Sequence, residues 1–296
     1  MTHTKKWIDK HLKAVFSAPC IIFIILMIIA PLVYNFAMSF TDWSMSIVKA
    51  PQFIGLQNYT AVMADPRFIK SVIRTVVFAV IAIGLETVLG VALAVLINRK
   101  FYGRRLVQAL MLLPVVATPV AVGMAWRLIL EPSIGFANVA LSALGLATHK
   151  FIATTSFEAL FCLIMIDVWE WTPMVMLMVY AGLMTIPNDP YESALIDGAG
   201  KWQTFTKITL PLASSSILVA VLLRLIDVIK TFDIIYATTQ GGPNFATENI
   251  NIFAYLNMFS YYSFGKAAAI SVLFFIVVMA IGCGFLKIKS KLEVDY

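Results

Sequence analysis

Six long stretches of mostly apolar residues, separated by short polar segments, run through this chain. We place them at residues 14–36, 72–97, 106–130, 158–184, 208–230 and 266–286. A helix needs about 20 apolar residues to cross a bilayer, where its backbone must satisfy its own hydrogen bonds. The pattern predicts an all-α integral membrane protein with six transmembrane helices.

The composition supports this prediction. Of the 296 residues 60% are hydrophobic and 13% are charged, whereas about 25% of the residues in soluble domains are charged. The polar pieces between the apolar stretches are too short to fold alone. We therefore predict a single membrane domain over residues 1–296.

The first apolar stretch has a signal peptide as its alternative. Ala37 and Ser39 weakly resemble a cleavage site, and four lysines precede the stretch, at Lys5, Lys6, Lys10 and Lys13. The core of a signal peptide is only about 7 to 15 residues long, which is shorter than this run. The length favours a retained membrane anchor.

Basic residues are distributed unevenly between the connecting segments. If the N-terminus is cytoplasmic, only four lysines and arginines lie outside, namely Lys49, Arg67, Lys70 and Lys150. Cytoplasmic loops carry an excess of such residues, so the pattern predicts both termini inside. The net charge of +6 then reflects topology, and we predict no nucleic-acid partner.

The polar segment at residues 187–207, between the fourth and fifth stretches, predicts a short helix. Asp189 is suited to cap it and Pro190 fits its first turn. Gly198 and Gly200 should end it near Ala199, and a second turn should follow from Lys201 to Phe205. Ala194 and Ala199 would keep one face thin enough for a partner to approach closely.

The same segment resembles the EAA motif of binding-protein-dependent ABC importer permeases. The matching residues are Glu192, Ser193, Ala194, Asp197, Gly198, Ala199, Phe205, Ile208, Leu210 and Pro211. Ser193 stands where that family has alanine, which exchanges one small residue for another. In that family the segment is a coupling helix, which inserts into a cleft of a cytoplasmic ATPase subunit.

Residues 53–59 and 238–243 are similar to sugar-type permeases, in particular to the larger maltose permease subunit and one glycerol-3-phosphate permease subunit. The resemblance implies a type I ABC importer permease in the bacterial cytoplasmic membrane that moves a sugar or sugar-like solute by alternating access. Its implied partners are membrane lipid, a second homologous permease subunit, two cytoplasmic ABC ATPase subunits and an extracytoplasmic solute-binding protein.

The resemblance also implies that this chain is no enzyme and needs no cofactor of its own, with ATP and magnesium on the ATPase subunits. Gly200-Lys201 superficially suggests a phosphate-binding loop. That motif requires glycine where Leu195 stands, and serine or threonine where Trp202 stands.

Ionisable residues within the apolar stretches mark a pathway or an internal pair. Asp167 and Glu170 share a helix face beside Trp169 and Trp171, a combination of carboxylates and flat aromatic rings that suits sugars. With Asp227, these four residues form our candidate substrate pathway. The alternative is that Glu170 bonds neighbouring helices.

Two further charges have structural interpretations. Arg224 and Asp227 are three residues apart, so we expect an ion pair between them. Glu86 has no partner nearby in sequence and is expected to bond to another helix.

Prolines inside the third and fourth stretches, at Pro114, Pro119 and Pro173, predict helix breaks, either along a pathway or as adaptations of packing.

Two other functions remain open. The intramembrane carboxylates also suit a self-sufficient secondary transporter or channel, although we find no internal repeat, which many such carriers have. An intramembrane enzyme is the weaker alternative, because the histidines lie outside the apolar stretches. The cysteines show no metal-ligand spacing.

Overall fold

The computed structural model describes residues 12–45, 50–99, 101–152 and 157–292. These residues form helices and one isolated β-bridge, between Thr41 and Phe53. The chain divides into two compact units, one of Met1–Pro66 with Ala254–Ile276, the other of Arg67–Phe253 with Val277–Tyr296. The single domain stays a prediction.

The first unit begins with one long apolar helical run. It comprises α1 (Leu12–Ile24), a π-helical turn (Ile25–Ile29) and α2 (Ala30–Met38). No residue of its most apolar window is buried within the chain. This run therefore meets its apolar surroundings, lipid or another chain, outside this polypeptide.

Hydrogen bonds hold the short helix α3 (Gln57–Met63) against the end of α2. The Asn58 side-chain amide donates to the carbonyls of Ser39 and Thr41, at 2.9 and 2.8 Å. In the same unit, Lys266 Nζ lies 3.0 Å from Asp65 Oδ2. The two bonds from Asn58 satisfy main-chain carbonyls that a non-helical connection leaves open.

The second unit contains most of the remaining helices. In chain order they are α4 (Pro66–Asn98), α5 (Arg104–Met111), α6 (Leu113–Val116), α7 (Pro119–Ile129), α8 (Phe136–Ala143), α9 (Phe157–Leu183), α10 (Asp189–Ile196), α11 (Lys201–Thr204), a π-helical turn (Phe205–Thr209), α12 (Leu210–Leu212), α13 (Ser214–Ile229) and α14 (Asp233–Thr238). After α14 the chain continues with α15 (Ile250–Tyr255), a π-helical turn (Leu256–Ser260) and α16 (Phe264–Leu292).

Four helical runs are long and apolar enough to cross a membrane, at Phe16–Met38, Pro66–Asn98, Phe157–Leu183 and Phe264–Phe285. They coincide with four of the predicted stretches. The other two correspond to bent pairs, Arg104–Val116 with Pro119–Ile129 at 95° and Lys201–Leu212 with Ser214–Ile229 at 62°. Each pair is either a broken span or a re-entrant loop, so six spans stays a prediction.

Proline explains the first of these breaks. Ala117 and Thr118 adopt extended backbone, with ψ of 146° and 137°, directly before Pro119. The residue before a proline avoids the helical region for steric reasons. Pro173, in contrast, lies within the continuous helix α9, so the break predicted there does not occur.

A close approach of α4 to α9 forms the core of the second unit. Ala94, Val175, Met176 and Val179 are buried together there. Gly90 lies at the contact, where a built Cβ atom would be 2.7 Å from Val175 Cγ1. Glycine is thus required at this position by the neighbouring helix.

We expect Gly90→Ala to destabilise the protein by about 1 to 3 kcal/mol, because the added methyl group overpacks the α4–α9 contact. Gly84→Ala is the matched control, since a Cβ atom there has no neighbour within 4 Å. Apparent melting temperatures of the detergent-solubilised complex test the difference. Equal values for the two variants would contradict the packing argument.

Candidate functional site

The polar segment from α10 to α11 has the predicted helix–turn–helix order. Pro190 lies in the first turn of α10, as predicted. The predicted cap is wrong, because Asp189 is already the first helical residue and Asn188 precedes it. Asn188 makes no side-chain capping bond.

Gly198 closes α10 with a rigid turn. Its φ is +73°, a left-handed conformation that glycine adopts without steric cost. The amide of Ala199 donates to the carbonyl of Ala194 at 2.9 Å, and that of Gly198 to Leu195 at 3.2 Å. These two bonds define a Schellman motif, which fixes the direction in which α10 is presented.

Gly198→Ala should cost about 1 to 2 kcal/mol, since an L-residue in the left-handed region is strained. Gly200→Ala is the control, because Gly200 has a φ of −71°. Hydrogen exchange of the α10 amides should rise in the first variant and not in the second. Unchanged protection in both would refute a role of this turn in ordering α10.

Two sides of α10 differ in exposure. Glu192, Ser193 and Asp197 are exposed, as are Leu195 at 78% and Ile196 at 87%. Ala194 is buried and Ala199 half-buried. Ala194, and in part Ala199, pack against this chain, and the close approach of a partner to these small residues stays a prediction.

The remaining residues of the motif continue the segment toward α13. Phe205 and Ile208 are half-buried in the π-helical turn, whereas Leu210 and Pro211 are exposed at the start of α12. Phe205 also lies 5.7 Å from the ring of Trp202, centroid to centroid. Some residues of the motif therefore pack against this chain, and others are exposed on it.

A cluster of three charges lies buried between α4, α9 and α13. Arg224 donates to Glu86 with two nitrogens, Nε at 2.7 Å and Nη2 at 3.1 Å. Arg224 Nη2 also donates to Asp167 Oδ2. The three side chains are at most 3% exposed, so this buried ionic cluster links three helices.

Trp171 adds an aromatic face to this buried ionic cluster. The guanidinium of Arg224 lies 4.8 Å from the centre of the Trp171 ring, within the range of a cation–π contact. The bond from Glu86 to another helix is confirmed. The expected Arg224–Asp227 pair is wrong, because Asp227 instead lies 3.3 Å from Lys230 near the end of α13.

Helical spacing could not identify these partners. Asp227 has cations three residues away on both sides, Arg224 and Lys230, whereas Glu86 has none at helical spacing. Only the packing of α4 and α9 around Arg224 brings Glu86 and Asp167 to it. Burial also requires the cation, because two buried carboxylates without one would be costly.

The remaining pathway candidates lie on α9. Trp169 is 47% exposed and contacts Trp126 edge to face, with centroids 5.6 Å apart. Glu170 is buried. Three buried oxygens find no hydrogen-bond partner within the described part of the chain, namely Asp167 Oδ1, Glu170 Oε2 and Thr172 Oγ1.

A second ionic contact, which the sequence did not reveal, joins the start of α4 to the loop before α15. Arg67 Nε and Nη2 donate to the two carboxylate oxygens of Glu248, at 2.7 and 2.6 Å. The guanidinium also lies 3.6 Å from the centre of the Phe245 ring. The two residues are 181 positions apart, so no local pattern could have paired them.

The fold is that of an ABC importer membrane subunit. The structure matches a chain in the crystal structure of a bacterial ABC transporter involved in the import of the acidic polysaccharide alginate, with a TM-score of 0.85 at 23% identity. The match covers 99% of this chain and 100% of that chain. The likeness confirms the predicted fold.

Residues 86–287 match the family model described as the inner membrane component of binding-protein-dependent transport systems. The chain belongs to this family, and it is therefore a transport subunit of the membrane. The resemblance drawn from the EAA motif is thereby confirmed.

Two relatives extend the match over most of the chain. A probable ABC transporter permease protein of Sinorhizobium fredii is 38% identical, covering 90% of this chain and 86% of the relative. The trehalose/maltose transport system permease protein MalF of Thermococcus litoralis is 34% identical, covering 97% of each.

Proposed function

We propose that this chain is the permease subunit of an ABC importer that moves a sugar or sugar-like solute into the cytoplasm by alternating access. Similarity to a trehalose/maltose permease along 97% of the chain supports a sugar as cargo. In this proposal two ATPase subunits supply the energy, and a second permease subunit completes the pathway. An extracytoplasmic binding protein delivers the solute.

The proposed topology has six spans and both termini in the cytoplasm. It counts each bent pair as one broken span. Breaks of this kind are tolerated within a membrane when protein or a water-filled cavity satisfies the freed backbone groups. The excess of lysine and arginine in the inner segments supports this orientation.

The segment from α10 to α11 is the proposed contact with the ATPase. The observation that carries this proposal is the exposed tip of α10, where Leu195 and Ile196 present apolar side chains next to the carboxylates of Glu192 and Asp197. Exposed apolar side chains on a rigid element mark a docking surface. The Schellman turn and the buried Ala194 hold that tip in place.

The proposed substrate pathway runs along α9. Trp169 offers an exposed ring on which a sugar can stack. Asp167 and Glu170 each have a buried oxygen without a hydrogen-bond partner among the described residues. In this proposal the change between inward and outward access exposes these oxygens, which then accept from sugar hydroxyls. Trp171 supports this arrangement indirectly through its contact with Arg224. Asp227 lies three residues after Arg224 on α13.

Reconstitution tests the proposal. The chain is co-expressed with candidate second-permease and ATPase subunits, and uptake of radiolabelled trehalose or maltose is measured in liposomes with binding protein and ATP. We expect co-purification and ATP-dependent uptake. Failure to associate, or uptake by the chain alone, would instead favour a self-sufficient transporter or channel.

A further inference from the structure

A groove of about 930 Å³ lies between the C-terminal end of α4 and the segment from α10 to α11. We call it the α4–α11 groove. Two basic residues, Arg99 and Lys201, line it together with the aromatic side chains of Tyr191, Trp202 and Phe205. No aspartate or glutamate belongs to the described lining.

Within the described residues, no carboxylate is paired with the two cations of the α4–α11 groove. Both cations are exposed. Arg99 directly follows α4, and Lys201 is the first residue of α11. Two like charges on one groove repel each other, so an anion between them would lower the electrostatic energy.

Apart from Thr204 and Thr209, the rest of the lining is apolar or aromatic. Ala92 and Val95, one to two turns earlier on α4, continue the groove along the spanning helix. Trp202 is 74% exposed, and tryptophan is enriched where membrane meets water. A ligand that suits this lining has an anionic head group beside an apolar tail.

We propose that the α4–α11 groove binds an anionic phospholipid. Its phosphate lies between Arg99 and Lys201, and an acyl chain runs along Ala92 and Val95. Basic pockets between spanning helices on the cytoplasmic side bind such head groups. The inference rests on the proposed topology, which places residues 99 and 201 inside.

A lipid in this position bridges α4 and α11. It therefore holds the segment that we propose as the ATPase contact against a spanning helix. A soluble anion would contact the two cations but would leave the apolar part of the groove empty. For this reason we assign the groove to a lipid and treat free phosphate as the competing outcome.

Lipid retention tests the proposal independently of transport. The assembled complex is placed in nanodiscs of phosphatidylcholine with increasing phosphatidylglycerol, and the phosphatidylglycerol retained on extraction is counted by native mass spectrometry. A basic residue near the surface contributes about 1 kcal/mol. We therefore expect Arg99→Gln and Lys201→Gln each to weaken retention about fivefold, and the double variant about 30-fold.

Arg105→Gln is the matched control, because Arg105 is an exposed cation near the same end of α4 that does not line the groove. Its retention should equal that of the unsubstituted complex. Raised salt should weaken retention most where both cations are present, less in each single variant and least in the double variant. Unchanged retention in the double variant would overturn the proposal.

A second arm separates lipid from free phosphate. Inorganic phosphate is added to discs with and without phosphatidylglycerol. If it displaces phosphatidylglycerol, and binds equally well in discs of pure phosphatidylcholine, the assignment to a lipid is overturned. The topology is tested with Arg99→Cys and Lys201→Cys variants. Labelling of either cysteine from outside by a membrane-impermeant reagent would refute the topology. Loss of transport with normal lipid retention would contradict the proposed function and leave the groove assignment standing.

Discussion

Replacement of Arg224 by methionine should prevent stable assembly of the protein. The change removes the cation from the buried ionic cluster and leaves Glu86 and Asp167 facing each other at less than 2% exposure. Removing one partner of a buried ion pair costs about 3 to 5 kcal/mol. We expect little monodisperse protein by fluorescence-detected size-exclusion chromatography, or a markedly lower melting temperature.

Two comparisons isolate the charge effect. Lys230→Met breaks the Lys230–Asp227 pair, which is about half exposed, and surface pairs contribute only about 0 to 1 kcal/mol. The triple variant Glu86→Gln, Asp167→Asn and Arg224→Met removes all three charges and should regain part of the lost stability. A single Arg224→Met variant as stable as Lys230→Met would disprove a structural role for the cluster.

The substitution Glu192→Lys should weaken binding of the ATPase subunits and abolish uptake. Glu192 is an exposed carboxylate in the first turn of α10, and the reversed charge is unfavourable both to the helix dipole and to a partner that fits the present carboxylate. Central interface residues contribute about 2 kcal/mol or more, equivalent to about 30-fold in affinity. The measurement is ATPase co-purification together with liposome uptake.

Glu158→Lys provides the matched charge reversal. Glu158 is 55% exposed in the first turn of α9, and its ion-pair partner is the half-exposed His149 at 3.6 Å. This variant should retain the ATPase subunits and transport normally. Intact uptake in Glu192→Lys, or equal loss in both variants, would argue against α10 as the coupling element.

Local signals predicted much of this molecule. Pro190 and the glycine pair at residues 198 and 200 predicted the order helix, turn, helix, because these residues act through their own backbone geometry. Pro119 predicted a break for the same reason. Pro173 did not produce one, since the surrounding packing of α9 keeps that helix continuous.

Contacts distant in sequence were beyond prediction. Glu86 lies 138 positions from Arg224, and Arg67 lies 181 positions from Glu248. Helical periodicity indicates which side chains share a face, but it does not indicate which helix packs against that face. The expected pairing of Arg224 with Asp227 failed for this reason.

The amino-acid sequence alone determined that this chain is a helical membrane protein of the binding-protein-dependent permease family. Apolar length and a short polar motif suffice for that, because lipid leaves the backbone few alternatives to helix. Only the tertiary structure decided the partners of the buried charges, the exposed tip of α10 and the basic α4–α11 groove. These features depend on how separate helices approach one another, and distances across helices are not encoded in any one stretch of residues.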